Sequence, residues 1–206
     1  MSDTIYINLV YEDTLSSSIL QKIIKETKRP YIIGRGYSQG GYGFIKRTIN
    51  GFNNAAKGMP YLILTDLDRE MCAPYLIEKW LTFPKHHNLL FRIAVKEVES
   101  WLLADTDNLS KFFGIPRTLI PLLVEKINNP KQQLINLARR SRKRVILEDI
   151  VPPDGSTATQ GRGYNARLIE YVNNRWNIKN ALKNSNSLQR TFNALKVFQP
   201  INTIKK

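Results

Sequence analysis

Short apolar runs alternate with amphipathic segments along the first half of the chain. Four runs rich in β-branched and aromatic residues are bounded by turn-prone positions, which is typical of buried strands. The segments between them carry apolar side chains at helical spacing, with polar residues opposite. This pattern predicts strands over residues 5–11, 31–33, 61–64 and 89–95, and helices over 16–27, 44–56 and 74–81. Strands that alternate with helices favour right-handed crossovers and a largely parallel sheet.

The second half of the chain carries almost no strand signal. Short helices, punctuated by prolines, are predicted over residues 109–113, 120–127 and 131–144. Further on, apolar residues recur at every fourth position and predict a core helix with a narrow apolar stripe. They are Tyr164, Leu168, Val172 and Trp176. We therefore expect an α/β protein: residues 1–105 form a mostly parallel four-stranded sheet flanked by helices, and residues 106–206 form a mostly helical, basic extension packed on that core.

The chain is strongly basic, and its positive charge is concentrated toward the C-terminus. The formal net charge is +14, and residues 139–206 contribute +10 of it. Such an excess favours an anionic partner, and nucleic acid is the commonest soluble one. The densest stretch, which we call the basic run, is typical either of a solvated helix end or of a surface that lines a phosphate backbone. Its five cations in six positions are Arg139, Arg140, Arg142, Lys143 and Arg144.

A glycine-rich segment follows the second predicted strand. Residues 34–43 hold five glycines in ten positions. They predict either a flexible turn into the next helix or a loop whose backbone amides cradle a phosphate. The segment lacks the Gly-Lys-Ser/Thr ending of a P-loop. Arg35 in this segment and Arg162 in a later polar loop join the basic run as candidate nucleic-acid contacts.

Cysteine and histidine are too few for the common sulfur and nitrogen sites. The single cysteine, Cys72, excludes an internal disulfide, and with only His86 and His87 beside it there is no Cys/His zinc cage. Any metal is therefore expected to be held by oxygen. No apolar run approaches the roughly 20 residues that span a bilayer, and the N-terminus lacks the pattern of a signal peptide. We expect no membrane partner and a cytoplasmic location.

Acidic residues follow the ends of three predicted strands. They are Glu12 after the first strand, Asp66 and Asp68 after the third, and Glu97 and Glu99 after the fourth. Because loops at the carboxyl ends of parallel strands converge, these carboxylates are expected to gather at one edge of the sheet. Hard oxygen ligands suit Mg²⁺ or Mn²⁺. A single acid of this kind is more typical of a helix cap or first turn, but three strand ends that agree indicate a divalent-cation site.

The order of these motifs resembles a known domain family. Residues 10–12 (VYE) after the first strand and 64–68 (LTDLD) after the third resemble the TOPRIM domain of topoisomerases, primases and overcoming-lysogenisation-defect nucleases. Residues 97–105 (EVESWLLAD), with 163–165 (GYN) and 185–188 (SNSL), look like a compact bacterial TOPRIM-like family often encoded beside an ATPase in defence loci. The resemblance implies a TOPRIM-like, Rossmann-like fold.

The resemblance also implies roles for the acidic residues. Glu12, Asp66 and Asp68 would hold a divalent metal, Mg²⁺ or Mn²⁺. Glu99 is the next implied contributor to the metal site and to catalysis, and Glu97 follows it.

Two positions depart from the family pattern. The usual Glu-Gly after the first strand is Glu12-Asp13 here, and the acid often found four residues beyond the glutamate is Ser16. These departures leave either one-metal chemistry or a second ion recruited by Glu97, Glu99 and the substrate phosphate.

Charge and resemblance together predict a metal-dependent nuclease. It would hydrolyse phosphodiester bonds in nucleic acid, in DNA rather than RNA, and act with a partner ATPase in defence against phage. The metal would polarise the phosphate and activate water, while Lys96 or a cation of the basic run would stabilise the developing charge. The alternatives are a non-catalytic nucleic-acid-binding or adaptor subunit with a degenerate site, and a small-molecule phosphohydrolase. The pattern leaves the oligomeric state open.

Overall fold

The fold is an α/β arrangement, seen in a computed structural model that describes residues 4–201. The strands are β1 (Ile5–Val10), β2 (Tyr31–Tyr37), β3 (Tyr61–Asp66) and β4 (Leu89–Ala94). The helices are α1 (Thr14–Glu26), α2 (Gly41–Ala55), α3 (Ala73–Trp80), α4 (Glu99–Leu103), α5 (Thr106–Phe113), α6 (Pro130–Ala138), α7 (Arg144–Ile150), α8 (Tyr164–Asn174), α9 (Ile178–Ala181) and α10 (Asn186–Val197). None of the helices in this range is long and apolar enough to cross a membrane.

The four strands form one parallel sheet in the order β2-β1-β3-β4. This confirms the predicted α/β class and the parallel sheet. Each strand is followed by a helix, and such crossovers are what parallel neighbours require. Helix α1 contacts β1 and β2, and α2 contacts β3. Because β1 and β3 are adjacent in the centre of the sheet, their carboxyl ends are neighbours.

The chain divides into two compact units. The first comprises Met1–Val95 and Arg190–Lys206, and the second comprises Lys96–Gln189. The first unit contains the sheet with α1, α2 and α3, and the second contains α4 to α9. Helix α10 begins in the second unit and ends in the first.

The core of the first unit is built from the apolar faces that periodicity predicts. On one side of α1, five large aliphatic side chains are buried. They are Leu15, Ile19, Leu20, Ile23 and Ile24. A second cluster joins the sheet to α2 and α3, and within it the ring of Trp80 stacks on that of Phe91 at 5.6 Å. Burial of these side chains fixes the strands against the helices, since each fully buried apolar side chain contributes about 1.5–3 kcal/mol to the stability of the fold.

The core of the second unit contains the predicted apolar stripe. Tyr164, Leu168, Val172 and Trp176 are all buried, as periodicity predicts. Helix α8 ends at Asn174, so Trp176 follows the helix rather than belonging to it. Its indole Nε1 donates a hydrogen bond to the carbonyl oxygen of Trp101 at 3.2 Å.

The prediction of a helix over residues 120–127 is wrong. Only a short 3-10 turn, Val124–Lys126, forms there. Pro121 lacks a backbone N–H, and the side chains of Leu122 and Leu123 are each 64% exposed. The segment therefore has no continuous apolar face whose burial would stabilise a helix.

The prediction of one helix over residues 131–144 is also wrong. Helix α6 ends at Ala138, and a turn separates it from α7, which begins only at Arg144. The Ser141 hydroxyl donates to the carbonyl oxygen of Phe113 and accepts a hydrogen bond from the backbone N of Lys143 at 2.9 Å. These contacts hold the chain in the turn, and they depend on a residue far away in the sequence.

Candidate functional site

Glu12 links the ends of the two central strands of the sheet. β1 ends at Val10 and β3 ends at Asp66. The Glu12 Oε1 atom accepts hydrogen bonds from Thr65 Oγ1 at 2.6 Å and from the backbone N of Asp66 at 3.0 Å. The structure therefore brings Glu12 and Asp66 together at the carboxyl edge of the sheet, because parallel neighbours end at the same edge.

The carboxyl group of Glu12 lies in surroundings that disfavour its negative charge. Burial raises its pKa, the hydrogen bonds from Thr65 and the backbone of Asp66 lower it, and the charges of Asp68 and Asp13 raise it again. The net effect is a raised pKa. Asp68 is thus close enough to Glu12 for their charges to repel. A divalent cation near these carboxylates would offset that repulsion.

The second oxygen of Glu12 lies near the start of α2. Oε2 accepts no hydrogen bond within residues 4–201, and a β-carbon on Gly41 would lie 3.9 Å from it. Carboxylate oxygens of this kind suit Mg²⁺ or Mn²⁺. In the part of the chain that the structure describes, no three His, Cys, Asp or Glu residues are grouped as ligands for one ion. Binding of one ion by all three acids therefore requires their side chains to turn toward a common point.

The Asp-Leu-Asp segment is anchored by its central residue. Leu67 is buried, and its backbone N donates to the carbonyl oxygen of Ala94 at 2.9 Å. Asp66 is half-buried, whereas Asp68 is exposed and has a φ of +50°. Aspartate and asparagine tolerate this left-handed region better than other non-glycine residues. Backbone strain of this kind is concentrated at functional sites.

Asp13 and Ser16, at the two positions that depart from the pattern of the family that the motifs resemble, lie at the start of α1. Asp13 is the N-cap residue, and its Oδ1 accepts a hydrogen bond from the backbone N of Ser16 at 2.8 Å. Ser16 itself is buried in the first turn of the helix. These two positions therefore have a structural role, and position 16 adds no carboxylate to the site.

The glycine-rich segment differs from its predicted form. Strand β2 continues through Tyr37, and α2 begins at Gly41 instead of Phe44. A β-carbon on Gly34 would lie 2.5 Å from Asn8 Oδ1, so glycine is required there by close packing within the sheet. The backbone N of Arg35 donates to the same Oδ1 at 2.8 Å, and the Arg35 side chain is exposed.

Glu97 and Glu99 belong to the second unit, where Lys131 joins them. Glu97 Oε2 accepts a hydrogen bond from the backbone N of Lys131 at 2.7 Å. Glu99 is 2% exposed, and its Oε1 accepts a hydrogen bond from Tyr164 OH at 2.9 Å and lies 3.7 Å from Lys131 Nζ. Burial raises the pKa of Glu99 to about 7, against the opposing charge of Lys131. Lys96 is half-buried and has no hydrogen-bonded or ion-paired side-chain partner among the described residues.

The rest of the 97–105 segment is also bound into the second unit. Trp101 is buried, and its Nε1 donates to Ser187 Oγ at 2.7 Å. Asp105 is buried and accepts a hydrogen bond from the backbone N of Asn177 at 2.7 Å. The segment that is most distinctive in sequence therefore holds α4 against later parts of its own unit.

The basic run lies at the junction of α6 and α7. Its five cationic residues are all exposed, as is Arg162 in the loop before α8. Arg144 pairs with Glu148 at 2.6 Å, one turn further along α7. The predicted cations of the second unit are therefore all exposed, and Arg35 lies on β2, an edge strand of the sheet in the first unit.

The sequence pattern does not reveal the partners of Glu99. Periodicity predicts Tyr164 as a core residue and Lys131 only as part of a helix. Neither prediction could place them beside Glu99, because that contact joins segments distant in the chain. The ring of Tyr164 lies 5.7 Å from Lys131 Nζ, which completes a compact cluster of opposite charges and an aromatic ring.

No protein-family model, curated protein or solved structure matches this chain at a significant level. The function must therefore be inferred from the structure of each unit. The first unit carries acids at its strand ends, and the second carries exposed cations.

Proposed function

We propose that the chain is a divalent-metal-dependent nuclease of TOPRIM type that hydrolyses phosphodiester bonds in nucleic acid, with DNA preferred over RNA. The observation that carries this proposal is the hydrogen bonding of Glu12 to Thr65 and to the backbone of Asp66. It places acids from two separate strand ends at one edge of a parallel sheet, which is where α/β folds bind ligands.

The metal would be held by Glu12, Asp66 and Asp68. Glu12 offers Oε2, which makes no hydrogen bond within residues 4–201. The repulsion between Glu12 and Asp68 favours a cation at this edge. A divalent ion bound there would polarise the scissile phosphate and activate water for attack.

The basic charge of the chain supports a nucleic-acid substrate. Residues 139–206 carry a net charge of +10, and the cations of the basic run are exposed. Such a surface binds phosphates and releases counterions, so binding weakens as salt is added. The resemblance of the motifs further suggests a partner ATPase and a role in defence against phage.

A non-catalytic nucleic-acid-binding or adaptor subunit is the second candidate. Two observations favour it: Ser16 occupies the position of a family acid and is buried, and Glu12 Oε1 is already satisfied by protein donors. In that case the acids would be remnants of a metal site, and the basic surface would retain its binding role.

Conservative variants separate the two candidates. Glu12→Gln and Asp66→Asn remove charge with little change in shape, and Asp68→Asn also keeps a residue that tolerates the left-handed backbone. Asp154→Asn, at an exposed position in the second unit, is the matched control. Cleavage of plasmid and of single-stranded DNA is measured in Mn²⁺ and in EDTA.

We expect cleavage by the wild type and by Asp154→Asn in Mn²⁺, and a loss of at least about 100-fold in the three site variants with DNA binding retained. Removal of the metal by EDTA should abolish cleavage. A wild type that binds DNA but cleaves no more than Asp66→Asn would overturn the nuclease proposal in favour of the adaptor.

A further inference from the structure

A pocket in the second unit is lined by three helices, and none of its lining residues belongs to the acidic site of the first unit. It has a volume of about 390 Å³ and is lined by residues of α5, α7 and α8 and by their flanking positions. Small-molecule sites commonly occupy about 300–1,000 Å³, so one nucleotide-sized group fits. The chemistry of its lining indicates what that group is.

Cations dominate the polar part of the lining. Lys111, Lys143, Arg167 and Arg175 line the pocket, and Glu170 is its acid. Arg167 is bound to Asp149 and Glu170, so its charge is largely compensated. An anionic ligand would therefore be attracted mainly by the other three cations.

Lys143 is held in a fixed place at the edge of the pocket. Its Nζ donates hydrogen bonds to the carbonyl oxygens of Lys111 at 2.8 Å and Phe112 at 3.0 Å, at the end of α5. Its aliphatic chain lies against Gly114, where a β-carbon would come within 3.1 Å of Lys143 Cε. Lys111 and Arg175, by contrast, have side chains with no hydrogen-bonded or ion-paired partner in the described part of the chain. These two cations are available to a ligand.

The remaining lining is apolar and includes an aromatic ring. Phe112 is half-buried, and its ring centre lies 5.1 Å from that of Tyr171, which supports it from within the unit. Val145, which is 44% exposed, and the buried Ile146 complete the apolar wall. A ring next to free cations matches a nucleotide, whose base stacks on aromatic side chains while its phosphate binds Lys or Arg.

We propose that this pocket binds one unpaired nucleotide of single-stranded DNA, with its base against Phe112 and its phosphate at Lys111 and Arg175. A strand is favoured over a free nucleotide because Lys143 is also part of the basic run. Arg139, Arg140 and Arg142 lie close along the chain and are exposed. Neighbouring phosphates of the same strand would bind these arginines. This inference rests on the proposed function, from which the choice of DNA is taken, and deepens it by naming single-stranded DNA as the substrate class.

Binding of fluorescein-labelled dT20, measured by fluorescence anisotropy in EDTA, tests the pocket without cleavage. Lys111→Glu/Arg175→Glu changes the pocket, and Lys179→Glu/Lys183→Glu makes the same charge change at exposed positions of the same unit. We expect the pocket variant to lose at least about 30-fold in affinity and the control less than about 5-fold. Equal losses would overturn the proposal, because a general charge effect would then explain binding.

Two further binding experiments test the contact of the base with Phe112 and the binding of neighbouring phosphates by the basic run. Phe112→Leu keeps an apolar residue but removes the ring, and it should weaken dT20 binding about 10-fold while leaving duplex binding unchanged. Replacement of Arg139 and Arg140 by alanine should reduce the slope of log K against log salt by about 1.4. An unchanged affinity in Phe112→Leu, or dTMP binding as tight as that of dT20 with an unchanged salt slope, would overturn the proposal.

These outcomes are independent of the nuclease test. Pocket-dependent binding by a chain that never cleaves DNA would support the pocket and refute the nuclease. If the chain cleaves DNA in a metal-dependent way, but its pocket and control variants bind dT20 equally, the nuclease proposal would be supported and the pocket proposal refuted. Circular dichroism spectra and melting curves of each variant establish that a lost affinity is not a lost fold.

Discussion

Replacement of Asp105 by alanine tests whether the 97–105 segment is architectural. Asp105 is fully buried in the second unit. Its Oδ2 accepts a hydrogen bond from the backbone N of Asn177 at 2.7 Å, and its two oxygens accept from the Asn108 amide at 2.9 and 3.1 Å. These contacts tie the start of α5 to the start of α9. Alanine would remove the acceptors and leave their donors behind.

The expected cost follows from these contacts. A hydrogen bond to a charged acceptor contributes about 1.5–3 kcal/mol, and a buried donor left without a partner costs about 1–3 kcal/mol. Loss of the contacts to Asn177 and Asn108 should therefore lower the free energy of unfolding by about 3–5 kcal/mol. The total free energy of unfolding of a native domain is only about 5–15 kcal/mol. With a urea m-value of about 2 kcal/mol/M, the midpoint should fall by about 2 M.

Urea unfolding followed by tryptophan fluorescence measures this change, since Trp101 and Trp176 are buried in the same unit. Asp107→Ala is the matched control, because its exposed carboxylate pairs with the exposed Arg117 at 2.8 Å. A surface pair of this kind contributes less than about 1 kcal/mol. Equal losses in the two variants, or a loss below about 1 kcal/mol in Asp105→Ala, would refute the reasoning.

Glycine substitutions and pH give further predictions. Gly161→Ala should lower the free energy of unfolding by at least about 2 kcal/mol, because its β-carbon would lie 2.7 Å from the carbonyl carbon of Asp149. Gly51→Ala, in open space within α2, should raise it by about 0.5–1 kcal/mol. Melting temperatures that shift in the same direction would contradict this pair. The pKa of Glu99 rises from 4.5 to about 7 on folding because of burial, so its stabilising contribution is complete below pH 4.5 and is lost as the pH rises through 7. Glu99→Gln should therefore flatten the decline in unfolding free energy between about pH 4.5 and pH 7, and an unchanged slope in urea titrations would argue against burial as its cause.

Local patterning predicts much of the first unit. The bounds of β1, β3 and β4 lie within two residues of their predictions, because each is a short apolar run between turn-prone residues. The error in β2 has a tertiary cause. Its glycines look like a loop, but the side chains of Asn8 and Tyr11 occupy the space that β-carbons at positions 34 and 36 would need.

The second unit is less predictable because its helices are short and depend on distant partners. Residues 131–144 have good helical periodicity, yet the contact of Ser141 with Phe113 turns the chain in the middle. The apolar stripe from Tyr164 to Trp176 is buried, as periodicity predicts. The spacing of apolar residues along a helix identifies the buried face, whichever segment packs against that face.

The sequence by itself determined the charge distribution, the α/β class and the positions of Glu12, Asp66 and Asp68 at strand ends, because these depend on composition and local periodicity. Only the tertiary structure decided that Glu99 is buried beside Tyr164, and that helices α5, α7 and α8 form a basic pocket. Burial and pairing of this kind arise from contacts between segments far apart in the chain. Local periodicity records which face of a helix is apolar, but the partner that covers it is chosen by packing.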